Sequence, residues 1–378
     1  MNTCRALGLY VHIPFCVRKC HYCDFNSGPL SQPARERYLQ ALDREIRSSR
    51  CRGFEVRTVF FGGGTPSELT LHELESIVRA VHDTFRIDDG AECTVECNPG
   101  TVGPDYLTAL RNLGFNRASL GVQSLQDHHL AALGRIHDSR QAREAYQGLR
   151  RAGFENVNLD LIFDLEGQTL LEWESDLFEV LSWSPEHLSL YHLTIEPGTE
   201  FGNRMARGEM RPQEEEQGAR MYELAMDMAA RAGFEQYEIS NFCRPGHRCR
   251  HNLIYWRNEP YLGFGLSAAS FLEGVRWTNT GRMGEYVRTA SSGDTARSSE
   301  ERLENREALG EEVMLRLRTG DGFSLADLSR RYSVDLLALH GKTLELFSRE
   351  RLIDWEGDRV TLTRQGRLLA NEVCRRFL

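Results

Sequence analysis

The first half of the chain alternates short hydrophobic runs with longer amphipathic stretches. The short runs are rich in β-branched and aromatic residues, and they predict six strands at 9–13, 58–61, 93–97, 118–122, 158–163 and 188–195. The stretches between them predict helices, among them 71–84, 106–113 and 170–181. Strands that alternate with helices are typical of parallel βαβ units. We therefore expect an α/β fold, a partial (β/α)6 barrel of TIM type, over residues 1–200.

The alternation stops after residue 200. A helical pattern at 213–232 and a strand-like run at 236–242 precede an irregular stretch at 243–256. Residues 282–300 are rich in Ser, Gly, Thr and Arg, a composition that predicts a linker. We expect residues 201–300 to form a connecting region.

The last segment, 301–378, has helical patterns followed by a hairpin signature at 352–362 with Gly357 in its turn. Helices combined with a hairpin predict a winged-helix-like domain. Residues 302–378 contain fourteen basic and thirteen acidic residues, whereas a nucleic-acid reader usually has a basic face. We therefore expect no nucleic-acid partner, and we expect this domain to pack against the barrel.

Composition places the chain among globular proteins and limits its location. The 378 residues are 40% hydrophobic and 27% charged, with a net charge of −9. No apolar run approaches the roughly 18 residues of a membrane helix, which leaves only a transient membrane association open. The start of the sequence lacks a secretory pattern, so we expect a cytoplasmic protein. Its ten cysteines should then be reduced thiols.

Three of these cysteines stand close together after the first predicted strand. Cys16, Cys20 and Cys23 have the spacing Cys-x3-Cys-x2-Cys. A disulfide is disfavoured in a reducing compartment and would leave one thiol over. A structural zinc site usually needs four ligands, and Cys243 or Cys249 could supply the fourth. Three thiolates on a four-iron cluster would leave one iron open to a ligand.

Other chemically distinctive residues follow the ends of later predicted strands. A glycine run at 62–64 and Thr65 follow the second strand, and glycines let a ligand approach the backbone closely. Glu96 ends the third strand, Gln123 ends the fourth and Asp160 lies in the fifth. Ligand sites of parallel sheets lie beyond the carboxyl ends of the strands. These residues therefore predict one site shared with the cysteines.

The cysteine motif, taken with these residues, resembles the radical S-adenosylmethionine (SAM) superfamily. The resemblance implies one 4Fe–4S cluster on Cys16, Cys20 and Cys23, with SAM on the open iron. It also implies that Arg135 suits the SAM carboxylate and that Asp160 suits the ribose hydroxyls. The full set of SAM-binding residues implied in this way is Tyr10, Tyr22, Gly63, Gly64, Thr65, Glu96, Gln123, Arg135 and Asp160.

Within that superfamily the chain is similar to the oxygen-independent coproporphyrinogen III oxidases, and most similar to their HemW branch of haem chaperones. The oxidases have a further cysteine two residues after the triad, where this chain has Phe25, and a longer segment before the triad. The resemblance therefore implies a chaperone that binds haem and passes it to an unidentified acceptor protein. The alternative is a radical SAM oxidoreductase acting on coproporphyrinogen III or another substrate.

The segment 251–256 matches the HNxxYW motif that is linked to haem in this branch. The resemblance implies haem binding by His251, Asn252, Tyr255 and Trp256, with His251 as iron ligand or anchor, because imidazole is a good axial ligand. His247 and Cys249 are alternative ligands. The competing hypothesis is a buried His–Asn pair that ties down a loop.

Two stretches of the sequence, which together contain three differing residues, depart from the family pattern. The run after the fifth strand contains Asp164 and Glu166, where the family usually has Gly and Pro. These carboxylates should alter a turn near the SAM pocket. A histidine usual in the family is replaced by Ala269, so no role of that imidazole is transferred to this chain.

Overall fold

Six parallel strands in chain order form the centre of the computed structural model, which describes residues 6–51, 54–212 and 214–378. Each strand is hydrogen-bonded to the next along the chain. The strands are β1 (Ala6–Ile13), β2 (Glu55–Gly63), β3 (Arg86–Cys97), β4 (Arg117–Gln123), β5 (Val157–Phe163) and β6 (His187–His192). This order confirms the partial (β/α)6 barrel.

Helices connect these strands, as parallel pairing requires. They are α1 (Gln32–Ser48), α2 (Leu71–Thr84), α3 (Pro104–Asn112), α4 (Asp127–Ala132), α5 (Ser139–Arg151) and α6 (Leu170–Ser182). Capping boxes start α2, α5 and α6; in α6 the pair is Thr169 and Glu172. Such boxes satisfy two of the free N–H groups at a helix start, which fixes where each helix begins.

The two faces of the strands differ in chemistry. Side chains that point outward are apolar and pack under the helices; Trp173 of α6, for example, is fully buried against Phe163. The side chains that point inward include Thr58, Ser119 and Asp160, and they line a polar interior. The hydrophobic core of the barrel therefore lies between the strands and the helices, and the centre of the barrel is polar.

Residues 201–300 extend the same sheet at both edges. The elements are α7 (Glu200–Ala206), α8 (Glu215–Arg231), β7 (Glu235–Gln236), β8 (Asn241–Cys243), α9 (Arg250–Trp256), β9 (Tyr261–Phe264), β10 (Ala269–Leu272) and β11 (Val275–Asn279). Strand β9 pairs in parallel with β1, and β8 pairs antiparallel with β6. The predicted start of the long helix, Gln213, lies outside the described residues. The boundary at residue 200 stays a prediction.

The prediction of a linker at 282–300 is wrong. This stretch forms helix α10 (Met283–Ser292) and edge strand β12 (Arg297–Glu301). The fully buried Tyr286 anchors α10, because its hydroxyl donates to the Glu45 carboxylate of α1 at 2.6 Å. The Ser-, Thr- and Arg-rich composition reflects the solvent face of these elements, and a few tertiary contacts hold the other face.

The C-terminal part has its own hydrophobic cluster and a three-stranded sheet. Its elements are α11 (Asn305–Leu317), β13 (Phe323–Ser324), α12 (Leu325–Tyr332), α13 (Leu336–Arg349), β14 (Ile353–Glu356), β15 (Arg359–Leu362), α14 (Arg364–Leu368) and α15 (Ala370–Arg375). Gly357 turns the β14–β15 hairpin with φ 59°, as predicted. These elements confirm the winged-helix-like architecture. The ion pair between Arg276 and Glu311 joins it to the large sheet.

Two expectations about chemistry can be compared with the described residues. Nine cysteines are free thiols, while Cys4 lies outside the described part of the chain. Within the described ranges, no helix combines the length and the apolar character that crossing a membrane requires.

Replacing Trp173 by Phe should destabilise the fold. The indole N–H of Trp173 donates to the carbonyl of Met221 in α8 at 2.9 Å, inside the core. The variant loses this buried hydrogen bond and leaves a gap, so we expect the free energy of unfolding to fall by about 1–3 kcal/mol. Urea denaturation followed by circular dichroism measures it. The control, Trp183→Phe, alters a half-buried ring and should cost less; equal losses would contradict the argument.

Candidate functional site at the carboxyl ends of the strands

The three clustered cysteines lie in a closed loop that begins directly after β1. The loop returns to its own start, because Gly28 N–H donates to Pro14 O and Cys16 N–H donates to Gly28 O. The backbone N–H of His21 donates to the Leu133 carbonyl at 3.0 Å, which docks the loop on the segment after α4. The thiols are thus held at the edge where the parallel strands end.

A cavity of about 440 Å³ opens at this edge and collects most of the predicted site. All three cysteines line it. The other predicted residues that line it are Tyr22, Gly63, Gly64, Thr65, Glu96, Gln123, Arg135, Asp160 and Asn252. The structure therefore brings together residues that are up to 236 positions apart in the sequence.

Tyr10 is the predicted SAM residue that does not line this cavity. Its hydroxyl lies 3.1 Å from Nδ1 of His12, and its ring stacks on Phe60 with ring centres 6.2 Å apart. Tyr10 therefore supports the wall of the cavity from behind in this conformation. Its direct contact with SAM stays a prediction.

The glycine run serves close packing between β2 and the cysteine loop. A Cβ on Gly63 would lie 2.4 Å from the His12 ring, and one on Gly64 would lie 2.6 Å from the Phe15 carbonyl oxygen. The N–H of Gly64 donates to Ile13 O, while that of Gly63 donates to the Glu96 carboxylate at 3.0 Å. These two N–H groups already have partners, so what the glycines provide is room.

Two buried carboxyl groups give the cavity its acidic side. Burial raises the pKa of Glu96 to about 8, and the nearby Asp160 adds to this rise. Burial also raises the pKa of Asp160, although Ser119 and Asn158 donate hydrogen bonds to it. A ligand that brings a positive charge would relieve this cost, because an adjacent cation stabilises a carboxylate. The ammonium and sulfonium groups of SAM fit this requirement.

Arg135 places a cation beside the cysteines. Its guanidinium donates to Cys20 Sγ at 3.4 Å and to the Gly121 carbonyl at 2.9 Å. Its Nε is buried and has no hydrogen-bond partner among the described residues. An orphaned donor in a buried site is costly, and an anionic ligand group would satisfy it. The residues present therefore fit a cluster on the three thiols and a ligand that carries a carboxylate.

Gln123 adopts an unusual backbone conformation at the end of β4. Its φ of 68° lies in the left-handed region, which residues other than glycine rarely adopt. A Cβ on Gly121 would lie 2.9 Å from the Gln123 amide nitrogen and 3.2 Å from Arg135. A side chain at position 121 would therefore displace the ends of Gln123 and Arg135 from their present positions in the cavity.

The two cysteines considered as a fourth zinc ligand lie elsewhere. Cys243 and Cys249 are fully buried and do not line the cavity that contains the triad. The Cys249 thiol donates to the Glu92 carboxylate at 3.5 Å. Neither thiol can complete a four-cysteine site in this conformation.

The HNxxYW segment lies in helix α9, which contacts Thr58 of β2 and Glu92 of β3. His251 is 1% exposed; its Nδ1 lies 2.8 Å from Thr58 Oγ1 and its Nε2 lies 2.9 Å from the Tyr255 hydroxyl. Its ring also stacks on Phe60 with ring centres 5.1 Å apart. Both nitrogens are thus engaged, so the imidazole cannot coordinate iron without rearrangement. His251 thus ties α9 to Thr58, whereas the competing hypothesis paired it with Asn252, which lines the central cavity instead. The role of His251 as an iron ligand stays a prediction.

The rest of the motif is more accessible. Asn252 lines the central cavity, and Tyr255 and Trp256 are half-buried. Burial, followed in size by the charge of Arg117, lowers the pKa of His251 to about 3, so it is neutral at physiological pH. Of the alternative ligands, His247 is half-buried and Cys249 is fully buried.

Sequence reasoning missed several residues of the cavity. Arg117 begins β4, is 2% exposed, and lines the cavity with an Nε that has no partner in the described part of the chain. Its position, two residues before the inward-pointing Ser119, was the available signal, since alternate strand residues share a face. Cys97, which the sequence analysis did not assign to the site, also lines it. His192, at the end of β6, is another lining residue that was missed.

The structure also locates the residues at which this chain differs from the family pattern. Asp164 has φ 63°, and its carboxylate contacts His192 Nε2 at 2.7 Å. Together with Glu166 it lines a second cavity of about 470 Å³ next to the first. Ala269 begins strand β10, which lies between β9 and β11, and pairs with Thr278.

Comparison with known proteins agrees with this architecture. The radical SAM superfamily profile matches residues 10–180, and that of the HemN C-terminal domain matches residues 303–369. The structure of coproporphyrinogen III oxidase (HemN) from Escherichia coli superposes with a TM-score of 0.87 at 24% identity. The match covers 99% of this chain and 90% of that one, and it shows a shared fold.

Curated relatives identify the family. The heme chaperone HemW of Bacillus subtilis is 37% identical over 373 residues, with 98% of both chains covered. HemW of Lactococcus lactis is 35% identical, with 98% of this chain and 96% of the relative covered. HemW of Escherichia coli is 40% identical over 69% of each chain. The chain therefore belongs to the HemW family of haem chaperones within the radical SAM superfamily.

Proposed function

We propose that this protein is a haem chaperone that binds haem and transfers it to an acceptor protein. It carries one 4Fe–4S cluster on Cys16, Cys20 and Cys23, with exchangeable SAM at the same site. The observation that carries the cofactor part is the convergence on one cavity of the three thiols of the cysteine loop, the buried guanidinium groups of Arg117 and Arg135, and the buried carboxyls of Glu96 and Asp160. The name of its relatives, heme chaperone HemW, supports the haem part.

The chain's own residues would divide the cofactor site between them. Arg135, whose Nε has no partner within the described ranges, suits the SAM carboxylate, while Glu96 suits the amino group and Asp160 the ribose hydroxyls. Bound SAM on a reduced cluster supplies one-electron radical chemistry, and the protein provides position and charge. Whether that chemistry is used separates a chaperone from the alternative, a radical SAM oxidoreductase that acts on coproporphyrinogen III or another substrate.

Within this proposal His251 acts as an anchor for the haem-binding helix. Its two hydrogen bonds fix α9 against Thr58 and orient Tyr255. Tyr255 and Trp256 then present aromatic surface to the macrocycle, and Asn252 reaches the central cavity. Haem binding by these four residues is supported by the family motif and by the partial exposure of the last three.

Cys20→Ala should abolish the cluster. Three thiolates are the minimum set for four iron ions with one open site, so iron and sulfide content should fall to background. Cys16→Ala and Cys23→Ala should do the same. Colorimetric iron and sulfide analysis after anaerobic reconstitution measures this.

Two control variants test whether the loss is specific. Cys51→Ala changes a half-buried thiol remote from the cavity, and Cys97→Ala removes the fourth thiol that lines it. Both should retain the full cluster. A full cluster in Cys20→Ala, or its loss in Cys97→Ala, would contradict the three-cysteine assignment.

The reconstituted protein should not decarboxylate coproporphyrinogen III. Phe25 occupies the place of the oxidases' further cysteine, and its ring is 59% exposed at the rim of the cavity. We expect no stoichiometric product under anaerobic reduction, as measured by chromatography of the oxidised porphyrins. Phe25→Cys alone should not confer activity, because it adds one thiol at the rim and leaves every other residue that lines the cavity unchanged. Stoichiometric product from the unmodified chain would favour the oxidoreductase instead.

His251→Ala should weaken haem binding without moving the Soret band of the haem that remains. The imidazole is buried with both nitrogens bonded, so its removal loosens α9 but takes no ligand from iron. Spectrophotometric haem titration gives both affinity and band position. The cluster content should be unchanged.

A matched control separates anchoring from coordination. Thr58→Val removes the partner of His251 Nδ1 and leaves the imidazole in place. An anchor predicts weaker haem binding in both variants. A Soret band that changes in His251→Ala alone would instead identify His251 as the iron ligand. A loss of the band only in His247→Ala would place the ligand upstream.

A further inference from the structure

Two adjacent histidines and a glutamate meet outside the central cavity, between α4 and the start of α6. His128 and His129 belong to α4, and Glu172 lies in the first turn of α6. His128 Nε2 lies 3.3 Å from Glu172 Oε1, and His129 Nε2 lies 3.7 Å from Glu172 Oε2. One ligand atom from each of the three residues lies within 4.8 Å of the other two.

The His129 ring is buried, and its Nε2 atom lacks a hydrogen bond within the described part of the chain. The residue is 3% exposed, and Nε2 has no hydrogen-bond partner among the described residues, since 3.7 Å to the carboxylate exceeds hydrogen-bond range. Leaving a buried polar atom unpaired costs about 1–3 kcal/mol. The nitrogen is therefore directed toward a position that a ligand could fill.

The spacing of these atoms suits a small divalent cation. Zinc binds imidazole nitrogen and carboxylate oxygen at about 2.0–2.2 Å in tetrahedral sites, which places neighbouring ligand atoms roughly 3.3–3.5 Å apart. The distance from His128 Nε2 to Glu172 Oε1, 3.3 Å, lies in that range, and the distance from His129 Nε2 to Oε2, 3.7 Å, is slightly longer. Because all three ligand atoms lie within 4.8 Å of one another, small side-chain rotations would bring them onto one ion. Calcium and magnesium prefer sites made of oxygen atoms, so two imidazoles disfavour them.

The surrounding contacts hold the glutamate and both helices in place without a metal. Glu172 Oε2 accepts hydrogen bonds from the N–H and the hydroxyl of Thr169, both at 2.8 Å, and this leaves Oε1 facing His128. One turn later, Asp176 accepts from the Ser124 hydroxyl and the Leu125 N–H, which join α6 to the chain just before α4. Such supporting bonds to a carboxylate are typical around metal ligands.

We propose that His128, His129 and Glu172 form a binding site for one divalent transition-metal cation of the zinc type. His128 is 63% exposed, so solvent can reach the ion and a water can fill the fourth position. The site would clamp α4 to α6. The carbonyls of Ala132 and Leu133, at the end of α4, accept hydrogen bonds from His21 in the cysteine loop. A bound ion would therefore stiffen the support of that loop.

Zinc binding to the cluster-loaded protein tests the site. Equilibrium dialysis with Zn²⁺, followed by elemental analysis for zinc and iron, should find one zinc per chain with the iron retained. His128→Ala removes an exposed ligand and should weaken zinc binding at least about tenfold. Glu172→Gln should weaken it similarly while keeping helix α6, because glutamine also serves in capping boxes.

A matched pair of variants in another capping box controls for helix effects. Glu73→Gln changes the equivalent glutamate of α2, and His72→Ala removes the exposed histidine beside it. Both should bind zinc like the unmodified protein. Equal zinc binding by the unmodified protein and His128→Ala, or no stoichiometric zinc at all, would overturn the proposal.

X-ray absorption at the zinc edge gives a second, independent readout. The site predicts nitrogen and oxygen neighbours at about 2.0–2.2 Å and no sulfur. A sulfur shell at about 2.3 Å would place the zinc on cysteines and would contradict the histidine–glutamate site.

Discussion

The docking of the cysteine loop on residues 132–135 is the contact on which the rest of the site depends. His21 donates its backbone N–H to Leu133 O and lies 2.8 Å from Ala132 O through Nδ1. Arg18 donates to the carbonyl oxygens of Gly134 and Arg135. In return, Arg135 donates to Cys20 Sγ. A loop that carries three thiols would otherwise be free to move, and this mutual set of bonds fixes it over the strand ends.

The stability of a barrel with a polar interior depends on how its buried charges are arranged. The apolar side chains of the strands pack outward under the helices, while the interior holds buried Arg117, Glu96 and Asp160. Charges buried in this way are costly unless they are paired or bound by a ligand. Opposite signs in one cavity offset part of that cost. Among the residues that the structure describes, the Nε atoms of Arg117 and Arg135 have no hydrogen-bond partner, so a bound anionic group would offset more of that cost.

The sequence was sufficient for the strands and for much of the site, because both follow from local patterns. Short apolar runs located all six parallel strands, and the parallel order then placed Glu96, Gln123 and Asp160 at one edge. It was insufficient wherever a distant residue decides the outcome. Residues 282–300 look like a linker until Tyr286 meets Glu45, which is 241 positions away. The hydrogen bond between His251 and Thr58, which is 193 positions away, is likewise not visible in the motif itself.

The position of α9 relates the haem motif to the cofactor cavity. Helix α9 is held against β2 by the hydrogen bond between His251 and Thr58. The next residue of the helix, Asn252, lines the same cavity as the cysteines. The backbone N–H groups of Arg250 and His251 also donate to Glu92 of β3, at 3.0 and 2.9 Å. A change in the conformation of α9 would therefore alter the floor of the cavity, and a ligand filling the cavity would in turn restrain α9. If haem binds at α9 as proposed, the haem and SAM sites would share one helix and would be coupled without touching each other, because each would bias the position of the same element.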